Sequence, residues 1–243
     1  MGEHGRIKWS DLILPVLVIT AALAYGFYVL NYPTDKMVAN YVTERLILSS
    51  LQAHLYLIVV SSSMAIATAL PLGVLLTRNS FKWLCPFVVS IVNICQTIPS
   101  LAVVALFVSV LGIGTWTAIA ALWIYSLLPI LSNTIAGLNN NNPAVADAAY
   151  GMGMKKFRIL MKIEIPLAMP VIIAGIRTAV VINVATAVIA AYVGGGGLGD
   201  LIITGKHINR WQVLLLGGGY ATLIAVLFDH ILGVCERILG YSR

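Results

Sequence analysis

The sequence predicts an all-helical membrane protein that crosses the bilayer about six times. Of its 243 residues, 60% are hydrophobic and only 10% are charged, which is unusual for a chain that folds in water. It also contains six mostly apolar stretches, each with roughly the 20 residues that a helix needs to cross a hydrocarbon core. These stretches are 12–30, 55–76, 84–111, 118–138, 167–193 and 213–232.

Each stretch is expected to be a helix, because lipid offers no partner for an unpaired backbone group. The apolar character is continuous and lacks the alternation that is typical of barrel strands. The first stretch has features of a cleaved signal, since Arg6 and Lys8 precede it and Ala22-Leu23-Ala24 resembles a cleavage site. Because the apolar run continues to Leu30, we expect a retained first span and a single membrane domain over residues 1–243.

The net charge of +6 and the three cysteines do not indicate nucleic-acid binding or a metal site. The basic residues lie in short segments between apolar stretches and form no basic stripe, so we expect them to orient the chain in the membrane. Cys85, Cys95 and Cys235 lie in or beside apolar stretches, and their spacing fits neither a zinc site nor a disulfide framework. We therefore expect packed thiols, no metal and no nucleic-acid partner.

The distribution of basic residues predicts the side of the membrane that each loop occupies. With a cytoplasmic N-terminus, the inside segments carry Arg6, Lys8, Arg78, Lys82, Lys155, Lys156, Arg158, Lys162, Arg237 and Arg243, and the outside segments carry Lys36, Arg45, Lys206 and Arg210. Because Lys and Arg accumulate in cytoplasmic loops, both termini and the loop at 139–166 are expected in the cytoplasm. The remaining basic residue, Arg177, lies within the fifth stretch and is expected to snorkel to the cytoplasmic interface, with a latch on the gate as the alternative.

The loop at 139–166 is predicted to contain two short helices. Asn142 is a good N-cap and Pro143 suits the first helical turn, so one helix should begin there. Gly151 and Gly153 permit a sharp turn. A basic amphipathic helix should follow over 155–163 and end at Pro166. Such a loop can lie on lipid headgroups or form a docking surface for a cytoplasmic partner, and these physical arguments favour neither.

The order of residues in this loop resembles the EAA loop of binding-protein-dependent ABC importers. Asp147-Ala148-Ala149 is followed by three residues and Gly153, and then by nine residues and Ile163-x-Ile165-Pro166. Asp147 replaces the usual glutamate and Ile165 the usual leucine. The resemblance implies a permease core over about 52–238, an extra first span, and an ATPase-coupling loop over about 139–166. It implies coupling roles for Asp147, Ala148, Ala149, Gly151, Gly153, Ile163 and Pro166.

The ATPase is expected to be a separate chain, and no cofactor is expected on this one. A phosphate-binding loop needs Gly-x-x-x-x-Gly-Lys-Ser/Thr. The nearest candidate, Gly205-Lys206, has Asp200 at the first glycine position and His207 in place of the hydroxyl. The resemblance implies two further partners: a second permease subunit, identical or similar, and an extracytoplasmic substrate-binding protein, expected as a separate polypeptide. It also implies a prokaryotic cytoplasmic membrane as the location.

Several further segments resemble the branch of that family that imports glycine betaine, choline, carnitine and related osmoprotectants. They are 96–102, 124–131, 151–154, 174–177 and 192–200. Methionine permeases share the element that begins at Val193, so methionine or another small zwitterion is the alternative cargo. Two unrelated classes fit less well. A secondary transporter usually shows intramembrane carboxylates or inverted repeats, and an intramembrane enzyme needs a zinc or nucleophile constellation that the apolar stretches lack.

Polar side chains within the apolar stretches are the candidates for a translocation path, because they are costly unless they face protein or water. The predicted path residues are Asn93, Gln96, Thr97, Ser100, Tyr125, Asn183 and Thr186. The alternative for any one of them is a hydrogen bond between helices, which contributes only about 0.6 kcal/mol on average. Asp229 and His230 are expected to cap or pair locally, and His54 to pack at the outer interface.

Overall fold

The computed structural model describes residues 9–241, with side chains for 11–238, and it is helical over most of that length. The described helices are α1 (Trp9–Asn31), α2 (Lys36–Tyr41), α3 (Glu44–Leu76), α4 (Cys85–Thr97), α5 (Ser100–Leu111), α6 (Thr115–Asn139), α7 (Pro143–Gly151), α8 (Lys156–Ile159), α9 (Ile165–Thr186), α10 (Leu198–His207) and α11 (Trp211–Tyr241). A 3₁₀ turn precedes α4, a π-helical turn joins α8 to α9, and a 3₁₀ segment extends α9 to Val193.

Five helical segments in the described part of the chain are long and apolar enough to cross a membrane, and α4 with α5 makes a sixth if the bent pair is one span. The prediction of an all-helical membrane protein with about six spans is confirmed. Two contacts indicate that the bent pair does cross. The Trp123 Nε1 donates to the Thr68 hydroxyl at 3.0 Å, and further along both helices Thr134 packs against Gly73. Helices α3 and α6 therefore run in the same direction, so the chain must return between them through α4 and α5.

The third apolar stretch is not one helix, which corrects the sequence expectation. Helices α4 and α5 meet at an angle of 101°. Ile98 between them is extended, with φ −69° and ψ 133°. The ring of Pro99 clashes with a helical conformation of the preceding residue and lacks the N–H that would continue the helix. Pro99 therefore breaks the span near its middle.

The loops gather at two ends of the bundle. The basic end contains the start of α1, residues 77–84, the loop at 139–166 and the last turns of α11, and the glycine end contains residues 32–43, 112–114 and 194–210. Helix α1 is tied to α11 at both ends. At the glycine end the Gln212 side chain accepts from the Thr34 N–H at 2.9 Å and donates to the Tyr32 carbonyl at 3.0 Å. At the basic end His230 Nε2 lies 2.7 Å from the Asp11 carbonyl oxygen.

Small residues let α3, α6 and α9 pack closely, as is common between membrane helices. A Cβ added to Gly73 would lie 2.8 Å from the Thr134 side chain, and one added to Gly137 would lie 3.2 Å from Ala168. Gly175 of α9 is the tightest of these contacts, since its added Cβ would lie 2.7 Å from the backbone carbonyl of Pro129. Helix α6 thus lies between α3 and α9, and these three helices form the centre of the subunit.

Replacing Gly175 with alanine should destabilise the protein by about 1–3 kcal/mol, the usual cost of overpacking a close contact. The added methyl group would meet a backbone carbonyl that cannot rotate away. The matched control is Gly218→Ala in α11, where the nearest atom to an added Cβ lies 3.9 Å away. Thermal unfolding of both variants in detergent measures the difference, and equal melting temperatures would contradict the packing assigned to Gly175.

Candidate coupling loop and translocation path

Helix α7, the first short helix of the loop, is capped at both ends. The Asn142 side chain accepts from the Ala144 N–H at 3.0 Å, and Pro143 occupies the first turn, as the sequence predicts. At the other end the Met154 N–H donates to the Ala149 carbonyl at 3.1 Å and the Gly153 N–H to the Tyr150 carbonyl at 2.9 Å. With Gly153 at φ +80°, these bonds form a Schellman motif. Gly153 is therefore the residue that turns the chain from α7 to α8.

The two short helices bury one small surface and expose the rest. Ala149 of α7 and Ile159 of α8 are each 1% exposed. Asp147 and Ala148 are exposed, as are Gly151 and Gly153. The exposed surface also carries large apolar side chains, because Met152 is 75% exposed and Phe157 is 73% exposed. Lys155, Lys156, Arg158 and Lys162 surround them. An exposed apolar surface with a basic rim marks an interaction surface, and it suits either a protein partner or lipid headgroups.

The loop is fixed to the basic end of the bundle by Glu164. Its carboxylate accepts from Arg78 Nη1 at 2.7 Å, and its carbonyl accepts from the Asn141 side chain at 2.9 Å. Glu164 therefore joins the loop after α3, the end of α6 and the start of α9. Sequence analysis did not identify this contact, because the three residues are far apart in the chain.

Pro166 does not end the second short helix, contrary to the sequence expectation. The helical path is continuous from Lys156 to Val193, over 38 residues. Leu160–Glu164 forms a π-helical turn just before the proline, and Pro166 lies in the first turn of α9. A wider turn moves the carbonyl of the preceding turn away from the proline ring, which relieves the clash that would kink an α-helix. Ile163 lies within this turn and is half-buried.

The structure brings some of the predicted path residues together around the break at Pro99. The Tyr125 hydroxyl donates to the Ile98 carbonyl, and Gln96 Nε2 donates to the Tyr125 carbonyl at 3.1 Å. Tyr125 is buried by these contacts. Asn93 and Thr97 are exposed on α4, and Ser100 at the start of α5 is half-buried. Gln96 and Tyr125 thus stabilise the bend, whereas Asn93 and Thr97 remain on an open surface.

Asn183 lies inside the subunit between α3 and α9. Its side chain is fully buried, and Nδ2 lies 2.9 Å from the hydroxyl oxygens of both Ser61 and Ser62. Thr186, one turn later, is half-buried and donates to the Ile182 carbonyl at 2.8 Å. In this conformation Asn183 joins two helices and does not line an open passage. Sequence analysis missed the two serines, although a run of three serines within an apolar stretch was a visible signal.

Arg177 is paired across helices, which corrects two expectations. It makes salt bridges to Asp229 and Glu236 of α11 instead of only extending to the interface. Asp229 accordingly does not pair locally, because its partner lies on another span. His230 contacts the start of α1. Opposite charges within membrane spans usually pair in this way, because an unpaired charge at such a depth is costly.

The glycine end contains a run of glycines in left-handed backbone conformations. Gly194, Gly196 and Gly197 have φ of +69°, +75° and +94°, which only glycine adopts easily. His54 is fully buried beneath this segment, 3.3 Å from where a Cβ of Gly197 would lie, and not at the interface as expected.

Burial raises the pKa of the Asp200 carboxyl in the first turn of α10. The backbone N–H of Val38, with help from Arg210, lowers the pKa of Asp35.

Comparison with known proteins shows the family to which the chain belongs. A family model described as the binding-protein-dependent transport system inner membrane component matches residues 69–238. The chain belongs to this family. The resemblance seen in the sequence is therefore confirmed, and the all-helical bundle is that of a membrane component of a transport system.

Three relatives show where this permease lies within the family. It is 41% identical to the glycine betaine/carnitine/choline transport system permease protein OpuCB of Bacillus subtilis over 76% of this chain and 84% of that protein. It is 44% identical to the carnitine transport permease protein OpuCD of Listeria monocytogenes over 71% and 77%. It is 41% identical to the osmoprotectant import permease protein OsmY of Salmonella typhimurium over 78% and 80%.

A solved structure shares the fold of this permease. The inward-facing MetNI methionine ABC transporter contains a chain that matches with a TM-score of 0.72 and 22% identity, over 82% of this permease and 99% of that chain. The family match begins within α3, so α1 lies outside it.

Replacing Asn183 with leucine separates its two possible roles in this permease. The loss of stability should be small, about 0.6 kcal/mol, because Ser61 retains a hydrogen bond to the Leu57 carbonyl at 2.6 Å. If Asn183 also lines the path when the permease opens, cargo uptake should fall by much more than the amount of folded protein. Uptake normalised to membrane-inserted protein measures this, with Ser61→Ala as a control for the lost hydrogen bond. Normal uptake by Asn183→Leu would assign the residue to packing alone.

Proposed function

We propose that this permease forms the pore of an ATP-driven importer for glycine betaine, carnitine, choline or a related osmoprotectant. The observation that carries the proposal is the exposed α7–α8 surface, with its Schellman turn at Gly153 and its ring of Lys and Arg side chains. The cargo class rests on the names of relatives that are about 40% identical over most of this chain. Methionine is the second candidate cargo, and it rests on the sequence element that begins at Val193 and on a shared fold.

The ATPase is proposed to bind the α7–α8 surface from the cytoplasm. Asp147, Ala148 and Gly151 are exposed there, together with Met152 and Phe157. Since ATP is bound by that partner, this chain catalyses no bond-making step. The excess of basic residues at this end supports a cytoplasmic location for it and for both termini. The glycine end then faces the substrate-binding protein outside the inner membrane.

A second permease subunit is proposed to cover α4. None of the residues of α4 is buried within one copy, and Asn93 and Thr97 are exposed at its surface. The Thr97 hydroxyl donates to the Ile94 carbonyl at 2.7 Å within its own helix. The Asn93 amide would be costly if it faced lipid at this depth, whereas a facing subunit or a hydrated passage between two subunits removes that cost. This arrangement supports roles for Asn93, Gln96, Thr97 and Ser100 in the path.

Reconstitution tests the proposed function directly. The permease is co-purified with its ATPase and substrate-binding protein and placed in liposomes, and uptake of glycine betaine, carnitine, choline and methionine is measured. We expect ATP-dependent uptake of one or more quaternary ammonium solutes. Uptake without ATP by the purified chain alone would indicate a secondary transporter, and uptake of methionine alone would assign the second candidate cargo.

Replacing Gly153 with valine should uncouple ATP hydrolysis from uptake and leave membrane insertion intact. A β-branched residue at φ +80° is strained by about 1–2 kcal/mol or more, and an added side chain at this position meets open space, so only the turn is affected. The matched control is Gly153→Asn, because asparagine tolerates a left-handed conformation. Cargo uptake and ATPase activity are measured for both. Normal uptake by the valine variant would contradict the role of this turn.

A further inference from the structure

Arg177 forms an ionic clamp between α9 and α11. Its guanidinium is bidentate to Asp229, with Nε 2.7 Å from Oδ1 and Nη2 2.8 Å from Oδ2. Nη1 donates to the Glu236 carboxylate at 3.2 Å. The two carboxylates are seven residues apart on α11, so both lie on the helix face that Arg177 contacts. A bidentate guanidinium–carboxylate pair fixes the relative orientation of two helices as well as their distance.

A glycine on α11 makes room for the clamp. A Cβ added to Gly233, between the two carboxylates, would lie 2.9 Å from Arg177 Nη1 and 3.0 Å from Cζ. The guanidinium therefore rests on the bare backbone of α11. Glycine is less favourable in a helix interior than any residue except proline, and at this position its missing side chain has a clear structural use. That use is the close approach of Arg177.

The clamp lies on the route from the candidate coupling loop to the last helix. The helical path that begins at Lys156 continues without a break through Arg177. On the other side, α11 is joined to α1 by the salt bridge between Arg237 and Asp11 and by the contact of His230 with the Asp11 carbonyl. A displacement of the loop would thus reach α9 first, then α11 through the clamp, and finally α1.

The three side chains are only partly covered by the subunit itself. The Arg177, Asp229 and Glu236 side chains are 35%, 45% and 32% exposed. Because separated charges within a membrane span are costly, the pair should stay closed when the helices move, so that α11 follows α9.

We propose that Arg177 is a positioning residue for transport: its bidentate clamp on Asp229 and Glu236 passes movement of the α7–α8 loop from α9 to α11 and α1. The proposal rests on the proposed function of the chain as an ATP-driven pore. It differs from the docking role of the loop, because Arg177 acts within the membrane bundle and touches neither the partner ATPase nor the loop.

Gly233→Ala tests the clamp without changing any charge. The added methyl group should push the guanidinium aside, and because that group is the end of a flexible side chain, the fold should accommodate it. The matched control is Gly219→Ala in the same helix, where nothing lies within 4 Å of an added Cβ. Both changes raise helix propensity. We expect cargo transported per ATP hydrolysed to fall by about 2- to 30-fold in Gly233→Ala only, the range that mutations along coupling networks produce.

Charge substitutions give a second, independent readout. Arg177→Met should lower the same ratio, and Asp229→Asn should lower it more than Glu236→Gln, because Asp229 receives two shorter bonds. The exchanged pair Arg177→Asp with Asp229→Arg should recover part of the ratio.

The outcomes separate this proposal from the proposed function. Wild-type uptake with an unchanged ratio in Gly233→Ala and Arg177→Met overturns the clamp alone. A loss in Arg177→Met that follows only the amount of folded complex, with no recovery in the exchanged pair, also overturns it. Absence of ATP-driven uptake by the wild-type complex overturns the proposed function and the clamp together.

Discussion

The structure depends on the requirement that backbone groups within a bilayer find partners in the protein itself. In the described part of the chain, helices meet most of this requirement, and the break between Thr97 at the end of α4 and Ser100 at the start of α5 is one place where they do not. There the Ile98 carbonyl lacks its helical partner and accepts instead from the Tyr125 hydroxyl. Gln96 donates in turn to the Tyr125 carbonyl. Packing against α6 therefore supplies the hydrogen bonds that the bend needs. Gln96 and Tyr125, which were predicted to line the path, have this structural role whatever their part in transport.

The parts of the fold that follow from local chemistry could be predicted from the sequence. Apolar length gives the number of crossings, and the N-cap at Asn142 gives the start of α7. The break at Pro99 was also predictable in principle, because proline restricts the residue before it, but the stretch at 84–111 is mostly apolar and longer than one span needs, so its composition predicts one helix. Pro166 shows the opposite case. The same residue type does not interrupt the helix there, because a π-helical turn accommodates its ring, and no local pattern indicates such a turn.

The contacts between distant segments could not be read from one sequence. Arg177 was visible as a charge in a span, but its partners lie 52 and 59 residues further along the chain. Asn183 was visible as a polar residue, yet only the packing of α3 against α9 shows that two serines bond to it. In both cases the sequence shows that the side chain needs a polar partner, because polar groups within a bilayer must be hydrogen-bonded or paired. Only the tertiary structure shows which residue that partner is.

The positions of the breaks in the helices determine how movement can pass through the subunit. Helix α9 joins the α7–α8 loop without a break, so it should follow the loop as a rigid body. The α4–α5 pair, by contrast, bends by 101° in mid-membrane and is held there by side-chain hydrogen bonds that can exchange partners. A force applied at the basic end would therefore move α9 as a whole, while the α4–α5 bend can change its angle.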